Sequence, residues 1–534
     1  MDEISLSDER IEALTGLIRD SFRVRPNEDP VYVDVSGNLS RIRAKQHQII
    51  FGRRGSGKSC LLVHYHRSIA ATDNTFSIYI DADELKRLGY PDALIRLLLR
   101  ITEEVAAGSQ GWISRLFRRR RSALWRQADE LRNLLNLAEE SNVTKESKAE
   151  SSAEGKATIS KGPASVGMSG SRVISEGVTS SFKAEKLEEL ERRFPDFKRT
   201  LDAGFKKAGF RAGAVIVDDF YLFPRQIQPD VLDYLHRLLR GTDLYLKLGT
   251  VRHRTTLQRG TDQPIGVSLT EDVEEISLDR TFEHVDATRE FLELMLDSLA
   301  EKVEIPTTTS FMSPDGRLAL TLASGGVPRD YLNTLVEAVP TARNLGIKRV
   351  TPTAIYKGAG RLSYRTKLGN LRADVGDDAK GIELVFADLV TFCLKEERKT
   401  GFLISQDEVL THPEQHEIIQ QLMDFKLIHV IEPDTSAASG RSGRFEAYTL
   451  DFSLFMEPRL RGLKHIEFWR NDPKRSRAGV REAPTYSLER ARLAAEKQPT
   501  EATENVLERL EEEIGGELET EAKEGEDLDP QTLF

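Results

Sequence analysis

The stretch Gly52-Arg53-Arg54-Gly55-Ser56-Gly57-Lys58-Ser59 decides the fold of this 534-residue chain. It matches the phosphate-binding loop pattern G-x-x-x-x-G-K-[ST] at every defined position. Gln48–Phe51 before it is typical of a short buried strand, and the residues from Cys60 onward are typical of a helix start. Glycines let backbone N–H groups approach phosphate oxygens closely, and the helix adds its positive end. The pattern predicts a phosphate site formed by this loop and the adjoining Cys60.

Two side chains of the loop carry specific chemistry. Lys58 is expected to reach the β- and γ-phosphates, and the Ser59 hydroxyl is expected to bind Mg²⁺. The predicted cofactors are therefore ATP and Mg²⁺. The alternative is an accidental glycine turn, which the flanking strand and helix patterns disfavour.

Bulk composition indicates a multidomain protein without a membrane span. A chain of 534 residues exceeds what one hydrophobic core supports, so roughly two to four domains are expected. No apolar run is long enough to cross a bilayer, and the acidic N-terminus lacks the regions of a signal peptide. Cys60 and Cys393 are the only cysteines, which predicts neither a disulfide nor a metal cluster. A cytoplasmic location is expected.

The net charge of −10 is concentrated in the C-terminal tail. Residues 487–534 contain fifteen acidic and five basic residues, so the preceding chain is near neutral. Any binding of nucleic acid must then depend on local basic clusters.

The order of strand and helix patterns predicts the domain organisation. Residues 46–280 alternate strand and helix patterns, which predicts an α/β fold with a P-loop parallel sheet core. The strand candidates are Gln48–Phe51, Phe76–Ile80, Ala214–Val217, Leu244–Leu248 and Glu275–Leu278. Residues 1–45 are expected to form an N-terminal arm, and residues 281–370 a helical lid domain.

Two further segments of the chain differ in composition or pattern. Residues 141–181 are rich in small and charged residues, which predicts a disordered insertion. The alternative is a loose hairpin around Ala157–Ile159 and Arg172–Ile174. Residues 378–456 read helix, strand, helix, helix and hairpin, the order of a winged helix. Residues 457–534 are a basic segment followed by the acidic tail.

A second motif, Ala214–Asp219, is an apolar strand that ends in two acids. In a P-loop ATPase the first acid, here Asp218, holds the Mg²⁺ shell, usually through water. The second, Asp219, orients the attacking water or accepts its proton. Asp81 and Asp83, after an earlier strand, are the alternative pair.

Three arginines and a threonine are candidates for contacts with the reacting phosphate. Thr250 ends a strand and could bind the γ-phosphate or the attacking water, while Arg252 or Arg254 could stabilise transition-state charge. Arg329 begins a helix after Gly325-Gly326, where a cation opposes the helix dipole, so pairing with the γ-phosphate is a reason for its presence. The alternative for each arginine is a solvated surface charge.

The order of these motifs resembles AAA+ ATPases of the initiator (origin-recognition) clade and the related STAND switch ATPases, over roughly residues 30–456. The resemblance makes Gly52–Ser59 Walker A and Val215–Asp219 Walker B. It makes Thr250 sensor 1 and Arg329 sensor 2. Asp219 stands where many such enzymes have glutamate, and the insertion and acidic tail also depart from the usual initiator pattern.

Basic clusters outside the motifs predict weak, nonspecific DNA binding. Arg118–Arg121 lies among aromatic residues, and the 459–481 segment is rich in Lys and Arg. The alternatives for the first cluster are a membrane-interface helix, a protein-docking helix or a solvated helix. The candidate recognition helix of the winged helix carries acids that repel phosphate, so Arg441 and Arg444 in the wing are better candidates.

The preferred interpretation is a regulatory ATPase whose nucleotide state controls binding to DNA or to a partner protein, in bacterial defence or a mobile element. The partner would be a companion effector protein, and a homo-oligomer is compatible with the resemblance. One alternative is a non-catalytic ATP-binding switch or adaptor. The other is a replication initiator that binds origin DNA.

Overall fold

The computed structural model describes residues 3–28, 30–34, 36–72, 74–108, 122–136, 168–260, 262–375, 379–438, 441–455, 463–469 and 478–496. The chain forms two compact units. The sheet unit comprises Gly37–Phe51 and Leu61–Ser277. The lid unit comprises Met1–Ser36, Gly52–Cys60 and Leu278–Phe534, and so includes the phosphate loop.

A five-stranded parallel sheet forms the centre of the sheet unit, in the order β2-β3-β4-β1-β7. Its strands are β1 (Gln48–Phe51), β2 (Thr75–Asp81), β3 (Ala212–Asp218), β4 (Leu244–Thr250) and β7 (Glu274–Ser277). Every residue of β1 is buried, as expected where helices cover both faces of a parallel sheet. All five predicted strands are present within two residues of their predicted ends, and the α/β fold class is confirmed.

Helices precede β1 and connect the strands up to β4, and a short two-stranded ribbon follows β4. The helices are α2 (Asn38–Ile42), α3 (Lys58–Ala70), α4 (Asp92–Gly108), a helical segment at 123–136, α5 (Met168–Lys207) and α6 (Gln228–Leu239). The ribbon pairs β5 (Gln258–Arg259) with β6 (Ile265–Gly266) and was not predicted from the sequence.

The predicted disordered insertion is in part helical. Residues 141–167, including Ala157–Ile159, lie outside the described residues. Residues 168–181 belong to α5, so a hairpin strand at Arg172–Ile174 is wrong. The C-terminal half of α5 is anchored by buried side chains such as Phe197 and Phe205. Extending an anchored helix needs no new nucleus, so residues of weak apolar character can continue it.

The lid unit contains a helical bundle that incorporates the N-terminal helix. Its helices are α1 (Glu9–Ser21), α7 (Val285–Glu301), α8 (Pro314–Ala323), α9 (Pro328–Asn344) and α10 (Pro352–Val375). Ile11, Leu14 and Ile18, spaced along one face of α1, are buried in the same core as Leu292 and Leu335. The N-terminal residues therefore contribute to the packing of this bundle.

The remaining elements follow the predicted order of helix, strand, helix, helix and hairpin. They are α11 (Ala379–Val390), β8 (Gly401–Ser405), α12 (Gln406–Thr411), α13 (Pro413–Asp424), β9 (Ile428–Thr435) and β10 (Phe445–Leu450), with a π-helical turn at Thr391–Glu396 after α11. The strands form an antiparallel sheet in the order β8-β10-β9.

C-terminal residues complete the core of the domain that contains β8, β9 and β10. Helix α14 (Leu488–Glu496) packs its buried Leu488 and Ala491 with the side of the sheet that holds Phe402. Val480 and Ala483 cover the opposite side of the same sheet. The first residues of the acidic tail are thus part of a folded domain.

Among the described helices none is long and apolar enough to span a bilayer.

Candidate functional site

Three strands of the sheet unit end at one edge. Thr250, the last residue of β4, is the register partner of Phe51, which immediately precedes the phosphate loop. On the other side of β4, Val217 pairs with Leu248, so β3 ends in Asp218 at the same edge. Since neighbouring strands lie about 4.8 Å apart, the ends of β1 and β3 are separated by about 10 Å. Ligands of open α/β sheets bind at the carboxyl ends of strands.

The phosphate loop has the backbone that its glycines allow. Gly55 and Gly57 have φ values of 88° and 99°, a region that side chains other than glycine rarely adopt. Any β-carbon at Gly52 would lie 2.2 Å from Ser56 Oγ. That hydroxyl is buried and accepts or donates no hydrogen bond among the described residues. Because buried polar groups normally have partners, the unsatisfied hydroxyl indicates a loop shaped for a polar ligand.

Lys58 is held inside the loop. Its ammonium donates to the carbonyl oxygens of Gly52 at 2.8 Å and Arg53 at 3.3 Å, and the residue is 5% exposed. Arg54, Ser59 and Cys60 are half-buried. These contacts place the charge of Lys58 within the loop, as a phosphate-binding role requires.

Arg53, predicted only as a loop residue, is the buried anchor of the loop. Its backbone N–H donates to Asp279 Oδ1 at 2.7 Å, and its guanidinium donates to the same atom at 3.4 Å. The guanidinium also donates to the carbonyl oxygens of Arg280 at 2.7 Å and Gly325 at 3.4 Å. Nothing in the local sequence distinguishes Arg53 from Arg54, so only the fold identifies this role.

Arg329 contacts the loop through its backbone. Its N–H donates to the carbonyl oxygen of Gly55 at 3.2 Å, and a β-carbon on Gly55 would lie 2.7 Å from that of Arg329. Its exposed side chain donates to the carbonyl oxygen of Phe22 at 3.3 Å, just after α1. Contact between this guanidinium and a γ-phosphate stays a prediction.

The two acids after β3 differ in environment. Asp218 is 2% exposed and accepts hydrogen bonds from Tyr79 Oη at 2.6 Å and from the N–H of Asp219 at 2.8 Å. Burial and the charge of Asp218 raise the pKa of Tyr79, so the phenol remains a donor. Asp219 itself has φ of 50°. The sequence offered no signal for Tyr79, which reaches Asp218 only because β2 and β3 are neighbours.

The alternative acids lie on the neighbouring strand. Asp81 is the register partner of Asp218 and caps a short helix by accepting from the N–H of Asp83 at 2.9 Å. Burial raises the pKa of Asp81. Asp83 is exposed and pairs with Lys86 at 2.5 Å. Asp218 is thus the more enclosed and better hydrogen-bonded acid.

Two threonines, Thr250 and Thr255, are hydrogen-bonded to each other at the end of β4. Thr250 is fully buried, and its Oγ1 lies 2.6 Å from Thr255 Oγ1, which donates to the carbonyl oxygen of Val251 at 2.7 Å. Thr255 has one proton, so Thr250 must donate to it. For the Thr250 hydroxyl to donate to phosphate or water, its hydrogen bond to Thr255 must first break.

Arg252 and Arg254 contact groups of their own chain. Arg252 pairs with Glu275 and lies 4.1 Å from the centre of the Phe51 ring. Arg254 lies 4.8 Å from the centre of the Tyr221 ring. Their roles toward transition-state charge stay predictions.

In the predicted winged-helix domain, helix α13 exposes acidic side chains, and the two candidate DNA-binding arginines contact residues of their own chain. Helix α13 exposes Glu414 and Glu417. Arg441 donates to Thr485 Oγ1 at 2.6 Å, and Arg444 pairs with Asp434 at 2.5 Å. Arg118–Arg121 lies outside the described residues, as does most of the 459–481 segment.

No protein-family model and no curated protein matches this sequence. Among solved structures, the chain is similar to the ORC2 protein of Aeropyrum pernix in ADPNP-ADP complexes, with 12% identity, 92% of this chain and 98% of that chain covered, and a TM-score of 0.37. The ORC1 protein of Aeropyrum pernix in complex with DNA is 14% identical, with 84% and 90% covered and a TM-score of 0.32. Cdc6p from Pyrobaculum aerophilum is 11% identical, with 92% and 98% covered and a TM-score of 0.32.

The structural neighbours are therefore ORC and Cdc6 proteins, the group that the motif order resembles. These TM-scores are all below 0.5, and the α/β fold is established by the strand order and register of the parallel sheet.

Proposed function

We propose that this chain binds ATP at Gly52–Ser59, hydrolyses it with Mg²⁺, and uses the nucleotide state to control binding to DNA or to a partner protein. The observation that carries the proposal is the loop itself. Two glycines with positive φ flank a buried Ser56 hydroxyl that makes no hydrogen bond to any residue that the structure describes, and the ammonium of Lys58 is enclosed in the same loop. Such a concave set of backbone and side-chain donors complements phosphate oxygens.

The catalytic assignments rest on the motif order. Ser59 and Asp218 are the proposed Mg²⁺ ligands, the second through water. When bound, Mg²⁺ would neutralise charge on the phosphate oxygens. Asp218 is kept in place by Tyr79, while Asp219, the next residue, would orient the attacking water and accept its proton.

Asp219→Asn should retain ATP binding and slow hydrolysis by about 10²–10⁴-fold, because the amide cannot accept the proton. Asparagine tolerates the left-handed backbone of residue 219, so the fold should be kept. Phosphate release under saturating ATP, together with ATP affinity, measures both effects. Asp83→Asn is the comparison variant. If it is the slower of the two, the catalytic acid lies after β2 instead.

The non-catalytic alternative is separated by turnover in the unaltered chain. Tight ATP binding without phosphate release, with or without DNA, would favour a switch or adaptor that signals to a companion effector protein. Preference for one duplex sequence would favour the initiator alternative. The exposed acids of α13 repel phosphate, and Arg444 is already paired with Asp434. These features favour neither recognition of a specific DNA sequence nor strong affinity for DNA.

We expect weak, salt-sensitive DNA binding that depends on Arg118–Arg121 and the 459–481 segment. Counterion release makes each phosphate contact salt-dependent, and the acidic tail should compete with phosphate at low salt. Since α14 is folded to Glu496, the tail should be removed from residue 497. A salt titration would compare the parent, the chain ending at 496 and the alanine variant of the four arginines. Equal affinities of all three, or no binding at low salt, would contradict this prediction.

A further inference from the structure

The short turn from Gly325 to Asp330 connects the phosphate loop with the winged helix. On the loop side, the guanidinium of Arg53 donates to the carbonyl oxygen of Gly325. The N–H of Arg329 donates to the carbonyl oxygen of Gly55 at 3.2 Å. All of these residues belong to the lid unit. A movement of the loop around a phosphate would therefore act on the turn through two hydrogen bonds.

On the other side, a strand of the winged helix presses against the same turn. A β-carbon at Gly325 would lie 2.0 Å from Cε1 of His429, in strand β9. Gly325 and Gly326 have φ values of 60° and 74°, so the turn depends on glycine for both space and conformation. Lys426 adds a second contact by donating to Asp330 at 3.0 Å.

The imidazole of His429 is held in place by Asp451 and Phe282. Its Nε2 lies 2.7 Å from Asp451 Oδ2, and Lys367 donates to the same oxygen at 2.6 Å. Phe282 packs against the imidazole with ring centres 5.5 Å apart. Because His429 and Asp451 are 2% and 0% exposed, the imidazole has little freedom to yield.

We propose that Arg53 is a positioning residue for the phosphate loop and that the Gly325 turn and His429 pass the nucleotide state of this loop to the winged helix. The inference rests on the proposed ATP binding and names the route by which the nucleotide state reaches the winged helix. Arg53 is suited to this role because its planar guanidinium spans the acceptors of Asp279, Arg280 and Gly325, which a lysine ammonium cannot do at once. Neither Arg53 nor His429 needs to touch the nucleotide.

Hydrogen–deuterium exchange on the full chain, with and without ATP and Mg²⁺, tests the route. In the parent, ATP should slow exchange in the phosphate loop and change exchange in β9 and its partner β10 by about threefold or more. Arg53→Lys should raise the Kd for ATP by about tenfold, as loss of one charge-assisted hydrogen bond does, and abolish the β9 response at saturating ATP.

His429→Gln should keep the ATP affinity of the parent but lose the β9 response, because glutamine can still donate to Asp451 without filling the space against Gly325. His412→Asn, at the surface of the same domain, is the matched control and should retain both. A change confined to the phosphate loop of the parent, or a full β9 response in His429→Gln, would overturn the inference while leaving ATP binding intact. Absence of any ATP effect on the loop would overturn the proposed function as well. If His429→Gln does not fold, the parent and Arg53→Lys decide the outcome.

Discussion

Replacing Lys58 by alanine should abolish ATP binding at concentrations that saturate the parent. The ammonium is enclosed by the loop, 2.8 Å from the Gly52 carbonyl oxygen, where a bound phosphate would give it a stronger, charged partner. Loss of such a contact weakens binding by about 3 kcal/mol, or roughly a hundredfold, before any loosening of the loop. Calorimetric titration with ATP and Mg²⁺ measures the effect.

The fold should survive this substitution. Alanine is a better helix former than lysine at the start of α3, and the two carbonyl groups that Lys58 leaves lie in a loop. Lys45→Ala, on the exposed segment before β1, is the matched control and should bind ATP as the parent does. Equal ATP affinity in Lys58→Ala and the parent would refute the site assignment.

Asp451→Asn should destabilise the lid unit by about 3–5 kcal/mol, because it leaves the Lys367 ammonium buried without a counter-charge. The side chains of Lys367 and Asp451 are 6% and 0% exposed, and their polar atoms lie 2.6 Å apart. Asp451 also accepts from the N–H of Ser453 at 3.1 Å. Urea unfolding followed by circular dichroism measures the loss.

Two comparison variants separate the buried charge from other effects. Asp434→Asn removes a carboxylate from an exposed pair with Arg444 in the same domain and should change stability little. Lys367→Met combined with Asp451→Asn should be more stable than Asp451→Asn alone, since no unpaired charge remains. If Asp451→Asn alone were as stable as the parent, the pair of Lys367 and Asp451 would contribute no net stability.

The same cluster predicts a pH dependence. Burial opposes ionisation of Asp451, but Lys367 and the hydrogen bond from His429 outweigh it and hold the pKa below its usual value. Its stabilising contribution is therefore complete above about pH 4 and is lost as the pH falls below that. Burial lowers the pKa of His429, so protonation of the unfolded chain also reduces stability below about pH 6.5. Unfolding midpoints measured from about pH 7 to about pH 2 should fall in the parent, and below about pH 4 they should fall less steeply in Asp451→Asn.

Local pattern was sufficient for the elements of this fold. The five strands of the parallel sheet and the order of helices and strands in residues 379–450 follow from short-range periodicity and turn residues. The insertion was harder, since residues 168–181 lack apolar periodicity and are helical by extension of an anchored helix. Apolar periodicity indicates which residues a segment can bury. It does not predict the secondary structure of a segment whose conformation depends on an adjoining helix.

The sequence by itself determined a glycine loop at the end of a parallel strand, because the motif is local and its backbone has positive φ at Gly55 and Gly57; phosphate binding by this loop stays a proposal. Only the tertiary structure decided which residues serve that loop. It buried Arg53 while leaving Arg54 half-exposed, brought Tyr79 to Asp218, and set His429 against Gly325 across more than a hundred residues of chain. These roles depend on distance, burial and unsatisfied hydrogen bonds between segments far apart in sequence, and none of these quantities exists before the chain has folded.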